Sequence, residues 1–113
     1  STLNYLTNQK ELEIVLAKNK AYNNKDGRET LSNMIKVADL TRKGFMLGDI
    51  STVMSPRTVM HWADNTSIFK DKGYAFRVTF LNKCDEIEKK IISEYYQRCF
   101  GEELPESSIN VKI

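Results

Sequence analysis

The stretch from Gly48 to Val59 places a strong helix-start signal in the middle of the chain. Ser55 is a favourable N-cap residue, and Pro56 suits the first position of a helix because its φ angle is already fixed near the helical value. Glycine-marked segments with apolar residues at helical spacing lie before and after this stretch. The sequence therefore predicts a mostly α-helical domain with little or no sheet.

Arg57 follows Pro56 and carries a positive charge into the first turn of the predicted helix. The helix dipole already makes that end positive by about half a charge, so a cation there is unusual. A shared anionic partner such as a phosphate would explain it. The alternative is a surface arginine that pairs with Asp49 or Asp64, and spacing alone favours this simpler interpretation because Ser-Pro-Arg is a common tripeptide.

The composition indicates one globular domain in a chain of 113 residues with 41% hydrophobic and 28% charged residues. A formal net charge of +2 argues against a general nucleic-acid or membrane-surface binder. No apolar run approaches the roughly 20 residues of a membrane span, and no signal peptide is visible, so a cytoplasmic location is expected. Cys84 and Cys99 are predicted to lie in one helical stretch, too far apart for a disulfide, as reduced thiols.

The first half of the chain predicts two helices. Asn8 with Glu11 forms a capping-box pattern for a first helix that runs to about Lys18, and residues 19–25 are polar and predict a loop. Asp26 with Glu29 gives a second capping box. The helix that follows has an apolar stripe at three- and four-residue spacing, formed by Leu31, Met34, Ile35, Ala38 and Arg42.

Gly44 is predicted to end this second helix. The apolar triplet Phe45-Met46-Leu47 is then expected to pack under the following loop. Ile50 and Val53 predict either a very short strand or an extended linker.

The second half predicts a helix from Ser55 with an apolar face of Val59, Trp62, Ala63, Thr66 and Phe69. Residues 71–73 break it, and a central helix extends from Tyr74 to Cys84. Asp85 with Glu88 predicts a third capping box for a last helix that Gly101 ends. Together these signals predict a bundle of about four to five helices over residues 1–101. Residues 102–113 are expected to form a tail that docks on the bundle through Ile109, Val111 and Ile113.

Other functional patterns are weaker or incomplete. His61 is the one histidine in the sequence, so no metal site is predicted. The acidic residues at 85–88 are better explained as a solvated helix start. The chain contains no Gly-x-x-x-x-Gly-Lys-Ser/Thr phosphate loop and no nucleophile with a plausible base, so no complete catalytic site is predicted in it.

The residues alone leave two further classes of function open, DNA binding and protein interaction. Leu47 to Trp62 could form a helix-turn-helix that binds DNA, although Asp64 and the balanced charge count against it. A protein-interaction module is the other, with residues 45–47 and the tail as its apolar surface.

Several longer blocks resemble one family, namely the C-terminal part of the CobS-type subunit of aerobic, ATP-dependent cobaltochelatase. They are Ile50-Ser51-Thr52-Val53-Met54-Ser55-Pro56-Arg57-Thr58-Val59, Phe80-Leu81-Asn82-Lys83-Cys84-Asp85-Glu86 and Glu94-Tyr95-Tyr96-Gln97-Arg98-Cys99-Phe100-Gly101. The resemblance extends over essentially the whole chain.

The resemblance implies that the chain is the helical lid of an AAA+ ATPase near the MoxR and midasin branch. It implies a ring homo-oligomer that works with CobT-type and CobN-type subunits, with no nucleic acid or membrane, to insert cobalt into a corrin ring in cobalamin synthesis. ATP with magnesium would bind the complete subunit and not this part alone. Ser55-Pro56-Arg57 resembles the second sensor of that family, with Arg57 as the phosphate-contacting residue. No metal ligand is implied here.

Overall fold

A computed structural model of the chain describes residues 7–104, which fold into five α-helices. These are α1 (Asn8–Lys18), α2 (Lys25–Leu47), α3 (Pro56–Phe69), α4 (Lys72–Thr79) and α5 (Glu86–Phe100). Short 3-10 helices at Lys20–Tyr22 and Leu81–Lys83 connect neighbouring α-helices. No strand occurs between residues 7 and 104, so the mostly α fold class is confirmed. The apolar start Leu3–Leu6, whose pattern suggests the end of a strand, and the tail residues Ile109, Val111 and Ile113, whose docking is expected from sequence, lie outside the described residues.

The predicted start of α3 and the predicted end of α5 are confirmed. The Ser55 side chain accepts a hydrogen bond from the Thr58 amide at 3.2 Å, with Pro56 as the first helical residue. Gly101 ends α5 in the left-handed conformation with φ of 70°. Both signals are local, because each depends on the chemistry of the capping residue itself.

The capping boxes predicted for α1 and α2 are wrong. Thr7 caps α1, one residue before the predicted Asn8, and Asn24 caps α2 instead of Asp26. Glu11 does not reach back to the start of α1 because its carboxylate is completely buried against α2. A long-range ion pair has replaced the local capping contact.

The third capping box is also wrong, although α5 does begin after Asp85. The Asp85 side chain makes no capping hydrogen bond. Glu88 accepts hydrogen bonds from the Ser51 amide at 2.9 Å and the Ser51 hydroxyl at 3.1 Å. Glu88 therefore ties α5 to the segment between α2 and α3.

Gly44 does not end α2, which continues to Leu47 and stops at Gly48 with φ of 83°. Gly44 is buried where the Tyr95 hydroxyl and the Ile50 side chain press against α2. The triplet at 45–47 is helical and exposed, with Leu47 77% exposed, so its predicted packing under the loop is wrong. Ile50 is buried in a linker without secondary structure.

The region after α3 differs from the prediction in detail. Asp71 caps α4 by accepting from the Tyr74 amide at 3.0 Å, so residues 72 and 73 begin a helix and do not only break one. That helix ends at Thr79, earlier than predicted. Cys84 lies outside any helix, so the prediction that it shares one with Cys99 is wrong. Both thiols are free.

Trp62 on α3 is the centre of the hydrophobic core and has no exposed surface. Its ring lies 4.6 Å from that of Phe76 on α4 and 6.3 Å from that of Tyr96 on α5, centroid to centroid. The indole nitrogen donates to the Lys72 carbonyl at 2.9 Å. Core packing thus fixes α3 against the two helices that follow it. Among the described residues, no helix is long and apolar enough to cross a membrane.

Candidate functional site

Arg57 occupies the first turn of α3 and is exposed. The Ser55 cap and Pro56 hold the backbone on its N-terminal side, and Val59 anchors the same turn in the core without exposed surface. The backbone of Arg57 is therefore fixed while its side chain is free to reach outward. A guanidinium presented in this way carries up to five N–H donors in a planar fork that matches a phosphate.

Arg57 makes no ion pair or side-chain hydrogen bond with any other residue between 7 and 104. The simpler interpretation, in which Asp49 or Asp64 neutralises it, is not seen in that part of the chain. Asp64 instead accepts a hydrogen bond from the Asn19 amide group at 2.9 Å. Asn19 thus engages the one carboxylate that shares a cleft with Arg57.

That cleft has a volume of about 320 Å³ and lies between the end of α1 and one face of α3 from Arg57 to Asp64. Its polar lining is Lys18, Asn19, Arg57, His61 and Asp64, and its apolar lining is Val15 and Met60. Lys18 adds a second exposed cation to the same opening. The N-terminal end of α3 contributes a further partial positive charge beside these two cations, and Asp64 is the one carboxylate in the lining.

His61 is exposed on α3 and also lines a second cleft with Lys83 and Thr58. No group of three or more His, Cys, Asp or Glu side chains that could hold a metal ion occurs within residues 7–104. Glu86, in the acidic run at the start of α5, pairs with Lys89 at 2.7 Å. The exposed cations near the start of α3 therefore lie apart from any such cluster in the described part of the chain.

The geometry of α2 and α3 does not favour a helix-turn-helix. The helices are joined by the extended segment Gly48–Ser55, whereas the motif uses a turn of about three to four residues. The exposed side of α3 also carries Asp64, which would repel a phosphate backbone. The DNA-binding alternative therefore gains no support from the helix arrangement.

A buried polar network between α1 and α2 was missed from sequence. Arg42 on α2 makes a bidentate ion pair with Glu11 on α1, with nitrogen–oxygen distances of 2.8 and 2.7 Å. Arg42 is 3% exposed and Glu11 is fully buried. Burial lowers the pKa of Arg42, but its hydrogen bonds and the charge of Glu11 outweigh that effect, so the pKa is raised. The one available signal was an arginine at a position in the apolar stripe of α2.

The fold and this cleft define a small helical domain that presents one unpaired arginine at a helix start. The chain is 59% identical, over all 113 of its residues, to the aerobic cobaltochelatase subunit CobS of a Sinorhizobium species. The resemblance to the CobS-type subunit is thereby confirmed. The chain spans about a third of that relative, 34% of its length.

The comparison with protein-family models gave no match. The comparison with solved structures gave none either.

Proposed function

We propose that the chain is the helical lid of a CobS-type AAA+ subunit and that Arg57 binds the terminal phosphate of ATP as its second sensor. The observation that carries the proposal is the unpaired, exposed guanidinium of Arg57 on a rigid helix start. An arginine without a carboxylate partner keeps its full charge and all its donors for a ligand. The likeness to an aerobic cobaltochelatase subunit supplies the reaction class.

In this proposal the complete subunit couples ATP hydrolysis to cobalt insertion into a corrin ring in cobalamin synthesis. ATP with magnesium is held mainly by a nucleotide-binding core of the complete subunit. Arg57 adds charge stabilisation to the phosphoryl group that is transferred. The complete subunit forms a ring of identical copies in the cytoplasm. This ring works with CobT-type and CobN-type subunits on the substrates, cobalt and the corrin.

The lid would act as the moving part. Arg57 contacts the γ-phosphate before hydrolysis and loses that contact when the phosphate leaves. Because the backbone around Arg57 is held by a cap, a proline and the core, the force on the guanidinium passes to α3 and the whole helical domain. Rotation of the domain then reaches the neighbouring subunit.

The test is ATP hydrolysis by the complete subunit with Arg57→Ala. We expect turnover to fall by about tenfold or more, a loss of at least ~1.4 kcal/mol of transition-state stabilisation. Arg28→Ala is the matched control, because Arg28 lies in the first turn of α2, is exposed and bonds only locally to Asn23 at 2.9 Å among the described residues. Wild-type turnover in Arg57→Ala would remove Arg57 from the mechanism.

Calorimetry with the isolated chain provides an independent test. The cleft supplies phosphate contacts alone, so we expect at most weak ATP binding and no hydrolysis by this part of the subunit. Tight ATP binding by the isolated chain would show that the nucleotide site is complete within these residues, contrary to the proposal.

A further inference from the structure

Met54 lies two residues before Pro56 and is held by α2 through both of its backbone polar groups. Its amide donates to the Thr41 hydroxyl at 3.0 Å, and its carbonyl accepts from the Arg42 Nε at 2.9 Å. Its side chain has no exposed surface. Met54 is thus fixed at three points, although it belongs to a linker with no secondary structure of its own.

The groups that hold Met54 are themselves held. The Thr41 hydroxyl donates to the Ala38 carbonyl at 2.6 Å, which leaves its lone pairs facing the Met54 amide. The Arg42 guanidinium is fixed by both oxygens of Glu11 and by Asp39 at 3.1 Å. All the partners of Met54 are therefore oriented by α1 and α2.

The path from this contact to the cleft is short. Ser55 follows Met54 and caps α3, Pro56 fixes the next φ angle, and Arg57 comes third. With so few free torsions, a change in the position of Met54 changes the direction in which α3 and Arg57 begin. A shift of about 1 Å is enough to impair a contact that requires alignment.

A buried ion pair is a poor way to gain stability, since well-packed apolar residues often do as well. Its value here is geometric, because the guanidinium fork reaches α1 and the Met54 carbonyl together. We propose that Thr41 and Arg42, with Glu11 orienting Arg42, are positioning residues that clamp Met54 and thereby aim Arg57 at the phosphate. This inference rests on the proposed role of Arg57.

The test compares ATP with ADP binding by the complete subunit, as the ratio of their dissociation constants. Arg57→Ala should lower the preference for ATP by about tenfold, because the contact is made to the terminal phosphate. Arg42→Lys keeps a positive charge for Glu11 but replaces the planar fork, whose Nε and terminal nitrogens reach Met54 and Glu11 respectively, by a single ammonium. Thr41→Val keeps the shape of the side chain but frees the Met54 amide. Each should lower the preference by about threefold.

Double variants that combine Thr41→Val or Arg42→Lys with Arg57→Ala distinguish an effect on the position of Arg57 from a general weakening of the fold. If Thr41 and Arg42 act through Arg57, Thr41→Val and Arg42→Lys should cause no further loss once Arg57 is alanine. Tyr96→Phe is the matched control, since it keeps the ring and removes a hydrogen bond to Glu102 in which Thr41, Arg42 and Met54 take no part, so it should leave the ratio unchanged.

The measured ratios distinguish a failure of the proposed role of Arg57 from a failure of the proposed clamp on Met54. An unchanged ratio in Arg57→Ala overturns the proposed function and the clamp with it. A lowered ratio in Arg57→Ala together with wild-type ratios in Thr41→Val and Arg42→Lys overturns the clamp alone. Losses that multiply with that of Arg57→Ala, or that Tyr96→Phe reproduces, would show that the two residues serve only folding.

Discussion

The Tyr22 hydroxyl donates a hydrogen bond to the Ala63 carbonyl at 2.8 Å, across 41 residues of sequence. It ties the 3-10 helix Lys20–Tyr22 to the middle of α3, directly after Lys18 and Asn19, which line the cleft that contains Arg57. Tyr22 is 7% exposed even though it lies in a polar segment that the sequence predicts as a loop. Burial raises the pKa of its hydroxyl above the ordinary value of 10.0.

Tyr22→Phe should lower the free energy of unfolding by about 1 kcal/mol, the usual value of one buried neutral hydrogen bond. Ser67 also donates to the Ala63 carbonyl, at 3.3 Å, so that oxygen does not lose every partner. Thermal unfolding followed by circular dichroism should show a Tm lower by about 4–8 °C. A Tm equal to that of the wild-type chain would mean that the hydroxyl adds nothing.

Gly27→Ala should be more damaging, because the first turn of α2 touches the backbone of Tyr22. A β-carbon at Gly27 would lie 2.5 Å from the Tyr22 carbonyl oxygen and 2.7 Å from its α-carbon. Backbone cannot move aside as a side-chain tip can, so we expect a loss of about 2–3 kcal/mol in urea unfolding. Lys25→Ala, exposed in the same turn, is the control and should change stability by less than about 0.5 kcal/mol.

The start of α3 could be predicted because Ser55 and Pro56 act through bonds made within one turn. The start of α1 could not, because Glu11 had two possible partners. One was the helix start beside it, and the other was Arg42, distant in sequence. Glu11 pairs with Arg42 because a buried charge must be paired. Nothing in the spacing of the first helix reveals that competition.

Gly44 shows the same limit. A glycine after basic residues normally ends a helix, yet here it is needed inside one so that Tyr95 and Ile50 can approach α2. The true stop is Gly48, where φ is positive. Which of two glycines ends a helix depends on what packs against the first, and that information lies far along the chain.

The role of Arg57 stays a prediction. Sequence reasoning noted the unusual cation at a helix start, but spacing alone favoured a surface arginine paired with Asp49 or Asp64, and the phosphate role came from the family resemblance. The partner of Asp64 is Asn19, and only the packing of α1 on α3 brings them within 2.9 Å. Lys18 enters the same cleft for the same reason.

Glu11→Ala should be among the most destabilising single substitutions, by about 3–5 kcal/mol, because it leaves the buried Arg42 guanidinium without its main counter-charge. The double substitution Glu11→Leu with Arg42→Met removes both charges. Although it frees the Met54 carbonyl, it should lose less stability than Glu11→Ala alone. Urea unfolding of both variants measures the difference. A double variant less stable than the single one would show that the ion pair itself stabilises the fold.

Alkaline pH should destabilise the domain through its buried hydroxyls and thiols. Burial is the main cause that raises the pKa of Tyr96 well above the ordinary 10.0, and its hydrogen bond with Glu102 adds to the effect. Burial also raises the pKa values of Tyr95, Cys84 and Cys99. Groups whose pKa is raised on folding hold their protons more tightly in the folded state. Their contribution is complete below the unfolded pKa and is lost as pH rises through the folded value.

The Tm should therefore be nearly constant with respect to these groups up to about pH 8 and fall increasingly above the ordinary cysteine and tyrosine values of 9.0 and 10.0. Tyr96→Phe has no proton to lose at that position, so its Tm should fall less steeply between pH 9 and pH 11, although it starts lower at neutral pH because the bond to Glu102 is gone. Thermal unfolding of both proteins across that range measures the two slopes. Equal slopes would mean that Tyr96 ionises as easily in the folded domain as in the unfolded chain.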